Sequence, residues 1–124
     1  MEILNLVQGS PDWYAARAKH FCASEAAAAM SVSEYQTRDE LLHQKHTGLA
    51  PEVDAAKQRL FDAGHAAEAG ARAIAEQIAD TEFAPLVGVE VIDGMPLLAS
   101  FDGIDMMGET PWENKLWSQS LVTQ

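Results

Sequence analysis

The segment from Val87 to Phe101 constrains the fold more than any other part of the chain. Val87, Val89 and Val91 alternate with Gly88, Glu90 and Ile92, Asp93-Gly94 follows, and Pro96-Leu97-Leu98-Ala99-Ser100-Phe101 resumes the apolar run. Alternation with a period of two puts successive side chains on opposite faces of a strand, and Asp-Gly is a pair that tolerates the positive φ angles of a tight hairpin turn. An antiparallel β pair is therefore expected here. Gly108 allows a further turn, and Trp112 to Trp117 reads as a third strand, which makes the second half of the chain a β-meander.

The first half reads as helices. Ser10-Pro11-Asp12 has the form of a helix start, with Ser10 as N-cap and Pro11 at the first helical position, so a short helix is expected over 13–19. A second start falls at Ser24, before Glu25 and four alanines. Thr37-Arg38-Asp39-Glu40 has capping-box form, and Gly48 is a natural stop, which places a helix over 38–47. Residues 53–78 are rich in Ala, Glu, Gln, Lys and Arg and lack proline, with Leu60, Phe61, Ile74 and Ile78 at helical spacing. One long helix is expected, with Gly64 as the point where it would break. No segment repeats and no linker divides the chain. The fold class is α+β, a single domain over 1–124 with N-terminal helices followed by a β-meander.

Composition narrows the possibilities. A chain of 124 residues supports one core, and 48% hydrophobic with 22% charged residues is ordinary globular composition rather than that of a disordered tail. The formal net charge of −11 argues against a nucleic-acid partner, because phosphate contacts normally come from a surplus of Lys and Arg. A carboxylate cluster that needs metal is one way to reconcile such a charge with DNA, with the eight Lys and Arg residues gathered on one face. Cys22 is the single cysteine, so no internal disulfide forms, and the chain opens without an export signal; a cytoplasmic location is expected. No window reaches the run of about 18 apolar residues that a membrane span needs.

The chemistry-bearing residues lie in the meander. Asp102 closes one expected strand, and Glu113-Asn114-Lys115 falls in the next. Residues at i and i+2 of a strand project to one side, so Glu113 and Lys115 point together, and pairing of the two strands would bring Asp102 beside them. Two carboxylates suit Mg²⁺, which takes few protein oxygens and fills its shell with water and phosphate, and an adjacent amine suits a water or a developing phosphoryl charge. On spacing alone the pattern is weak. A turn at Asp102-Gly103 and a solvated Glu113/Lys115 pair is the plainer alternative.

Several blocks in a fixed order sharpen the choice. Gln8-Gly9-Ser10, Trp13 and Arg17 are followed by Ala23-Ser24-Glu25, then Gly64-His65 with Glu68, then Ser100-Phe101-Asp102-Gly103, then Glu113-Asn114-Lys115. Together they resemble the YqaJ-type viral recombinase (lambda exonuclease) family of the PD-(D/E)XK nucleases, whose patterns are Q-G-[ST]-x-x-W-x-x-x-R, A-S-E, G-x-x-x-E, S-P-D-G and E-x-K.

The resemblance implies a restriction-endonuclease-like α/β fold and a 5′-to-3′ double-strand DNA exonuclease that hydrolyses phosphodiesters with Mg²⁺, for which Mn²⁺ can substitute. It implies Asp102, Glu113 and the backbone carbonyl of Asn114 as metal ligands, Glu68 approaching the metals from the helix, and Lys115 positioning the attacking water. Arg17, Ser24 and Ser100 match positions that bind DNA; Arg17 and Ser24 would hold the 5′-terminal phosphate. A guanidinium grips phosphate bidentately, and Ser24 at a helix start would add a hydroxyl and free N–H donors. Linear duplex DNA, a single-strand annealing protein and a homo-oligomer, by resemblance a trimer, are the implied partners, in the cytoplasm of a bacterial host of phage or prophage origin.

Trp13 is expected in the core, Cys22 as a small buried residue and His65 as structural, while His20, His43 and His46 have no paired metal spacing. Trp112 and Trp117 bracket the E-x-K segment, either to stack on bases or to be partly buried. Two departures stand out. Phe101 replaces the family's proline, and only nine residues follow Lys115, where the family continues with a helix, a strand and a glutamine-bearing motif. The C-terminal elements of the fold are thus expected to be missing. A catalytically dead prophage remnant that binds only DNA or a protein partner, or a small acidic helical interaction module, are the alternatives.

Overall fold

A computed structural model describes residues 1–48 and 55–116. In chain order the elements are β1 (Glu2–Leu4), α1 (Pro11–Ala18), β2 (Phe21–Cys22), a 3₁₀ turn (Ala23–Glu25), α2 (Ala26–Ala29), α3 (Arg38–Thr47), α4 (Ala55–Ala79), β3 (Ala84–Ile92), β4 (Met95–Ile104) and β5 (Pro111–Trp112). The architecture is α+β, with helices preceding the central hairpin. The chain forms two compact units, one of Met1–Glu52 with Leu86–Ser100, the other of Val53–Pro85 with Phe101–Gln124.

In the first unit the strand order is β1-β3-β4-β2. Strand β1 runs antiparallel to β3, Ile3 opposite Gly88, and β2 runs parallel to β4, Cys22 opposite Leu98. The hairpin turns at Asp93 (φ 52) and Gly94 (φ 78). Two positive φ angles in sequence mark the turn whose twist matches that of the flanking strands. Val87 is fully buried and Leu98 2% exposed; with Cys22 they form the core, against which Leu6, Trp13, Ala16 and Val89 pack. An apolar cavity of about 580 Å³ is lined by Phe21, Leu41, Met95, Leu97 and Leu98 among others.

The helices of this unit start where their caps dictate. Ser10 Oγ accepts from the Trp13 N–H at 3.3 Å, and Pro11 opens α1. Thr37 Oγ1 accepts from the Glu40 N–H at 3.1 Å, and the hydroxyl itself donates to Glu40 Oε1 at 3.1 Å. Gly48 ends α3 in the left-handed region (φ 73), its N–H donating to Gln44 O.

Ser24 does not cap a helix as expected. The cap is Cys22, and Ser24 sits inside the 3₁₀ turn. The cause is Glu25, whose Oε1 accepts from the Cys22 N–H at 2.8 Å and draws the start of the turn two residues forward. The helical run behind it is short: α2 spans only Ala26–Ala29, and Ser31 follows at φ 62.

In the second unit α4 runs unbroken through Gly64 as the one long helix expected. A glycine in a helix costs about 1 kcal/mol against alanine, too little to interrupt a run of strong helix formers. Leu60, Phe61, Ile74 and Ile78 are all exposed on it. After Asp80 (φ 52), Glu76 holds the departing chain through its main-chain oxygen to Thr81 N–H and its carboxylate to Phe83 N–H. Phe83 is buried and stacks on Trp112, ring centroids 6.1 Å apart. Strand β5 pairs antiparallel with β4 through Gly103 opposite Trp112 and Ile104 opposite Pro111. A Cβ at Gly103 would stand 2.7 Å from Phe83 Cβ, so the close approach of that ring needs glycine. The third strand is thus two residues long, and residues 113–116 continue without strand geometry; Trp117 lies outside the described residues.

No helix among the described residues is long and apolar enough to cross a membrane.

Candidate functional site

Strand β4 delivers Asp102 one residue before Gly103, and the β4/β5 register, continued by one position, brings Asp102 level with Glu113. The link is direct, since the Asn114 N–H donates to Asp102 Oδ2 at 2.8 Å. Glu113 and Lys115 keep to one side although the strand has ended, with Lys115 Nζ 2.9 Å from Glu113 Oε1. The hydrogen bond it donates to Glu113 holds the Lys115 ammonium above its ordinary pKa; burial opposes this, and the Glu113 and Asp102 charges add to the rise. The amine is therefore cationic across the neutral range.

Glu68 on α4 reaches this group through an intermediary. Arg72, one helical turn further on, places Nη2 2.7 Å from Glu68 Oε1 and 2.9 Å from the main-chain oxygen of Asp102. Its guanidinium carbon lies 5.8 Å from the Trp112 ring centroid. His65, exposed on the same helix, places Nδ1 3.7 Å from Glu68 Oε2. Three carboxylates and two fixed cations leave this cluster with one net negative charge.

The donor set fits a hard divalent cation of the magnesium type, which takes one or two carboxylates and completes its shell with water and phosphate oxygens. Asp102 and Glu113 are such a pair, the second of them 59% exposed and open to solvent. Among the described residues no three His, Cys, Asp or Glu side chains form a ready-made metal cage. Glu68, occupied by Arg72, is not gathered into one with Asp102 and Glu113.

The DNA-binding residues expected from the sequence meet in the other unit. Arg17, near the end of α1, lies with its guanidinium carbon 4.8 Å from the Trp13 ring centroid and points Nη2 at Ser24 Oγ, 3.5 Å away. Ser100 joins them through Trp13, whose indole Nε1–H donates to Ser100 Oγ at 2.9 Å. Trp13 thus has both the core position expected of it and a place beneath the arginine. Glu25, buried in the same place, has Oε2 3.9 Å from Arg17 Nη2 and Oε1 3.0 Å from Lys45 Nζ. Lys45 also donates to the main-chain oxygen of Arg17 at 2.7 Å. Two cations against one carboxylate give this cluster a net positive charge within a strongly acidic chain.

Cys22, at the edge of this pocket, is buried, and burial pushes its thiol up to about 11. It is a neutral core residue at physiological pH, as expected, and not a nucleophile.

Sequence reasoning missed Arg72, Lys45 and the support role of Glu25. Arg72 carried a usable signal, four residues after Glu68 on a long helix, where side chains of opposite charge meet. Lys45 carried none, because its partners lie 20 and 28 residues away in the chain. No family model matches this chain, and no curated protein matches it.

Proposed function

We propose that the chain is a metal-dependent deoxyribonuclease of the viral-recombinase type that its motif blocks resemble, hydrolysing linear duplex DNA from 5′ ends. The observation that carries this reading is the meeting of Asp102, Glu113 and Lys115 at the end of the β4/β5 pair, with Glu68 tied to Asp102 through Arg72. Asp102 and Glu113 would hold Mg²⁺, or Mn²⁺ in its place, together with the Asn114 carbonyl. The ion, when bound, neutralises charge on the phosphoryl group under attack. Lys115 orients the water and faces the developing negative charge with its raised-pKa ammonium. Glu68 acts from α4 at the edge of the cluster, its charge balanced by Arg72.

Arg17, Ser24 and Ser100 form the end-recognition pocket in this reading. The guanidinium, laid on Trp13 and beside a hydroxyl, suits a terminal phosphate monoester. A restriction-endonuclease-like core belongs to the same proposal. So does a ring of subunits: Leu60, Phe61, Ile74 and Ile78 present apolar surface of the kind subunit contacts cover. A single-strand annealing protein would take the 3′ tail that such digestion leaves, in the cytoplasm of a phage-carrying bacterium.

A second reading is favoured by the ion pairs themselves. Glu68 and Glu113 are each engaged by a cation, and among the described residues no three-donor group stands ready, as in a protein that has kept its DNA contacts and lost catalysis. Incubation of a linear 5′-phosphorylated duplex with Mg²⁺, beside Glu113→Ala, separates the two. Digestion by the wild type alone supports the nuclease; equal, negligible digestion by both leaves only the binding reading.

A further inference from the structure

Glu25 poses an electrostatic difficulty for the Arg17 pocket. Its carboxylate is 9% exposed and lies 3.9 Å from the guanidinium that would take a phosphate. A carboxylate in that place repels an incoming anion and competes with it for the same cation. Lys45 relieves both effects. Its Nζ stands nearer to Glu25 than Arg17 does, at 3.0 Å from Oε1, and its side chain is 10% exposed, so the pair is screened little by solvent. The Cys22 N–H takes the same Oε1 at 2.8 Å. The ammonium also donates to Arg17 O at 2.7 Å, which ties the end of α1 to α3 beneath the guanidinium.

We infer that Lys45 is a positioning residue for recognition of a 5′-terminal phosphate monoester: it neutralises Glu25, which leaves the charge of Arg17 for the ligand, and fixes the backbone from which Arg17 projects. The inference rests on the phosphate-binding role proposed above for Arg17 and Ser24. Without Lys45 the cation left paired with Glu25 among the described residues is Arg17 itself, and the cluster falls from one net positive charge to none.

The test is the affinity of the full chain for a duplex oligonucleotide carrying a 5′-phosphate against the same duplex with a 5′-hydroxyl, measured by fluorescence anisotropy in chelator. The variants are Lys45→Met, Lys45→Arg and the double change Lys45→Met with Glu25→Gln. Wild type is expected to prefer the phosphate, and Lys45→Met to reduce that preference about tenfold, the scale of one charge-assisted contact. Lys45→Arg should keep most of it, and the double variant should regain most of it, since no carboxylate then competes for Arg17. A lysine that matters only through its bond to Arg17 O predicts no recovery in the double variant, because that bond stays lost when Glu25 is neutralised. A wild-type preference that survives in Lys45→Met, or a double variant no better than Lys45→Met, overturns the inference. Should Lys45→Met fail to fold by circular dichroism, the double variant and Lys45→Arg decide: recovery supports the inference, and loss in both sinks it. A wild type indifferent to the phosphate removes the Arg17/Ser24 reading, and the inference with it.

Discussion

Replacing Arg72 by methionine removes a guanidinium that bonds Glu68 Oε1 at 2.7 Å and Asp102 O at 2.9 Å, while keeping a stem of similar length against Trp112. Glu68 is 15% and Arg72 22% exposed, between the solvated and the fully buried case. Exposed pairs contribute about 0.5 kcal/mol, and breaking buried ones costs about 3–5 kcal/mol, so the pair itself lies between these limits. The bond to the Asp102 carbonyl adds about 1 kcal/mol, and contact with the indole about 0.5 kcal/mol. Against this, Arg72 Nε is buried without an acceptor among the described residues, and its removal returns about 1 kcal/mol of desolvation cost. The expected net loss is about 2–3 kcal/mol, or roughly 10 °C in melting temperature for a chain of this size. Urea denaturation of wild type, Arg72→Met, Glu68→Gln and the double variant measures it, with an unchanged slope showing that the unfolded state is not altered. The cycle should return a coupling of about 1–2 kcal/mol. A loss under about 0.5 kcal/mol for Arg72→Met would show that the guanidinium does not join α4 to β4 as described, and strict additivity in the cycle would show that it does not pair with Glu68.

Glu113 and Lys115 are 59% and 64% exposed, so Glu113→Ala should move stability by less than about 0.5 kcal/mol while abolishing duplex digestion; equal loss of both would trace the activity to folding instead. Gly103→Val should cost about 2 kcal/mol or more through overpacking on Phe83, read as a lower urea midpoint, and a neutral result would mean that the ring can withdraw. Gly94→Ala at φ 78 should cost about 1 kcal/mol, again by urea midpoint, and no loss would mean that the hairpin has changed turn type. Cys22 has a folded pKa of about 11 against an ordinary 9.0, so the unfolded chain gives up its proton first as pH rises. Its contribution is complete below about pH 9 and lost on passing through pH 11, a fall of about 3 kcal/mol relative to Cys22→Ala. Identical pH profiles of the two melting temperatures over that window would refute the burial of the thiol.

What could be read from the sequence was whatever is decided within a few residues. The caps at Ser10 and Thr37, the stop at Gly48 and the Asp93-Gly94 turn are each local contests between a side chain and the backbone, and each resolved as the residue types dictate. Strands β1 and β2 escaped notice because they are three and two residues long and exist by pairing with β3 and β4, not by any alternation of their own. Ser24 was misread for a related reason. Its local pattern is that of an N-cap, but Glu25 accepts from the Cys22 N–H and so starts the turn at Cys22, its carboxylate held in place by Lys45 from a different helix.

The candidate sites divide along the same line. Asp102, Glu113 and Lys115 were legible as a motif because they lie close in sequence to one strand pair, β4 with β5, and the Asn114 N–H bond to Asp102 holds the departing chain there, whereas Arg72 and Lys45 matter only once α4 meets β4 and α3 meets α1. This also resolves the apparent conflict between a net charge of −11 and a phosphate ligand. A ligand responds to the field within about 10 Å, the screening distance at moderate salt, and not to the total. In the Arg17 pocket that field is set by two cations and one carboxylate, all within 3.9 Å of one another's charged atoms along the chain of contacts from Lys45 through Glu25 to Arg17. On the reading proposed above, an acidic surface elsewhere would repel phosphates that arrive anywhere but at that site, and binding of a 5′-phosphorylated end should lose less to added salt than binding by a uniformly basic surface does, because few counterions are released. A steep salt dependence, with a slope that counts many phosphates, would instead require basic surface beyond this pocket.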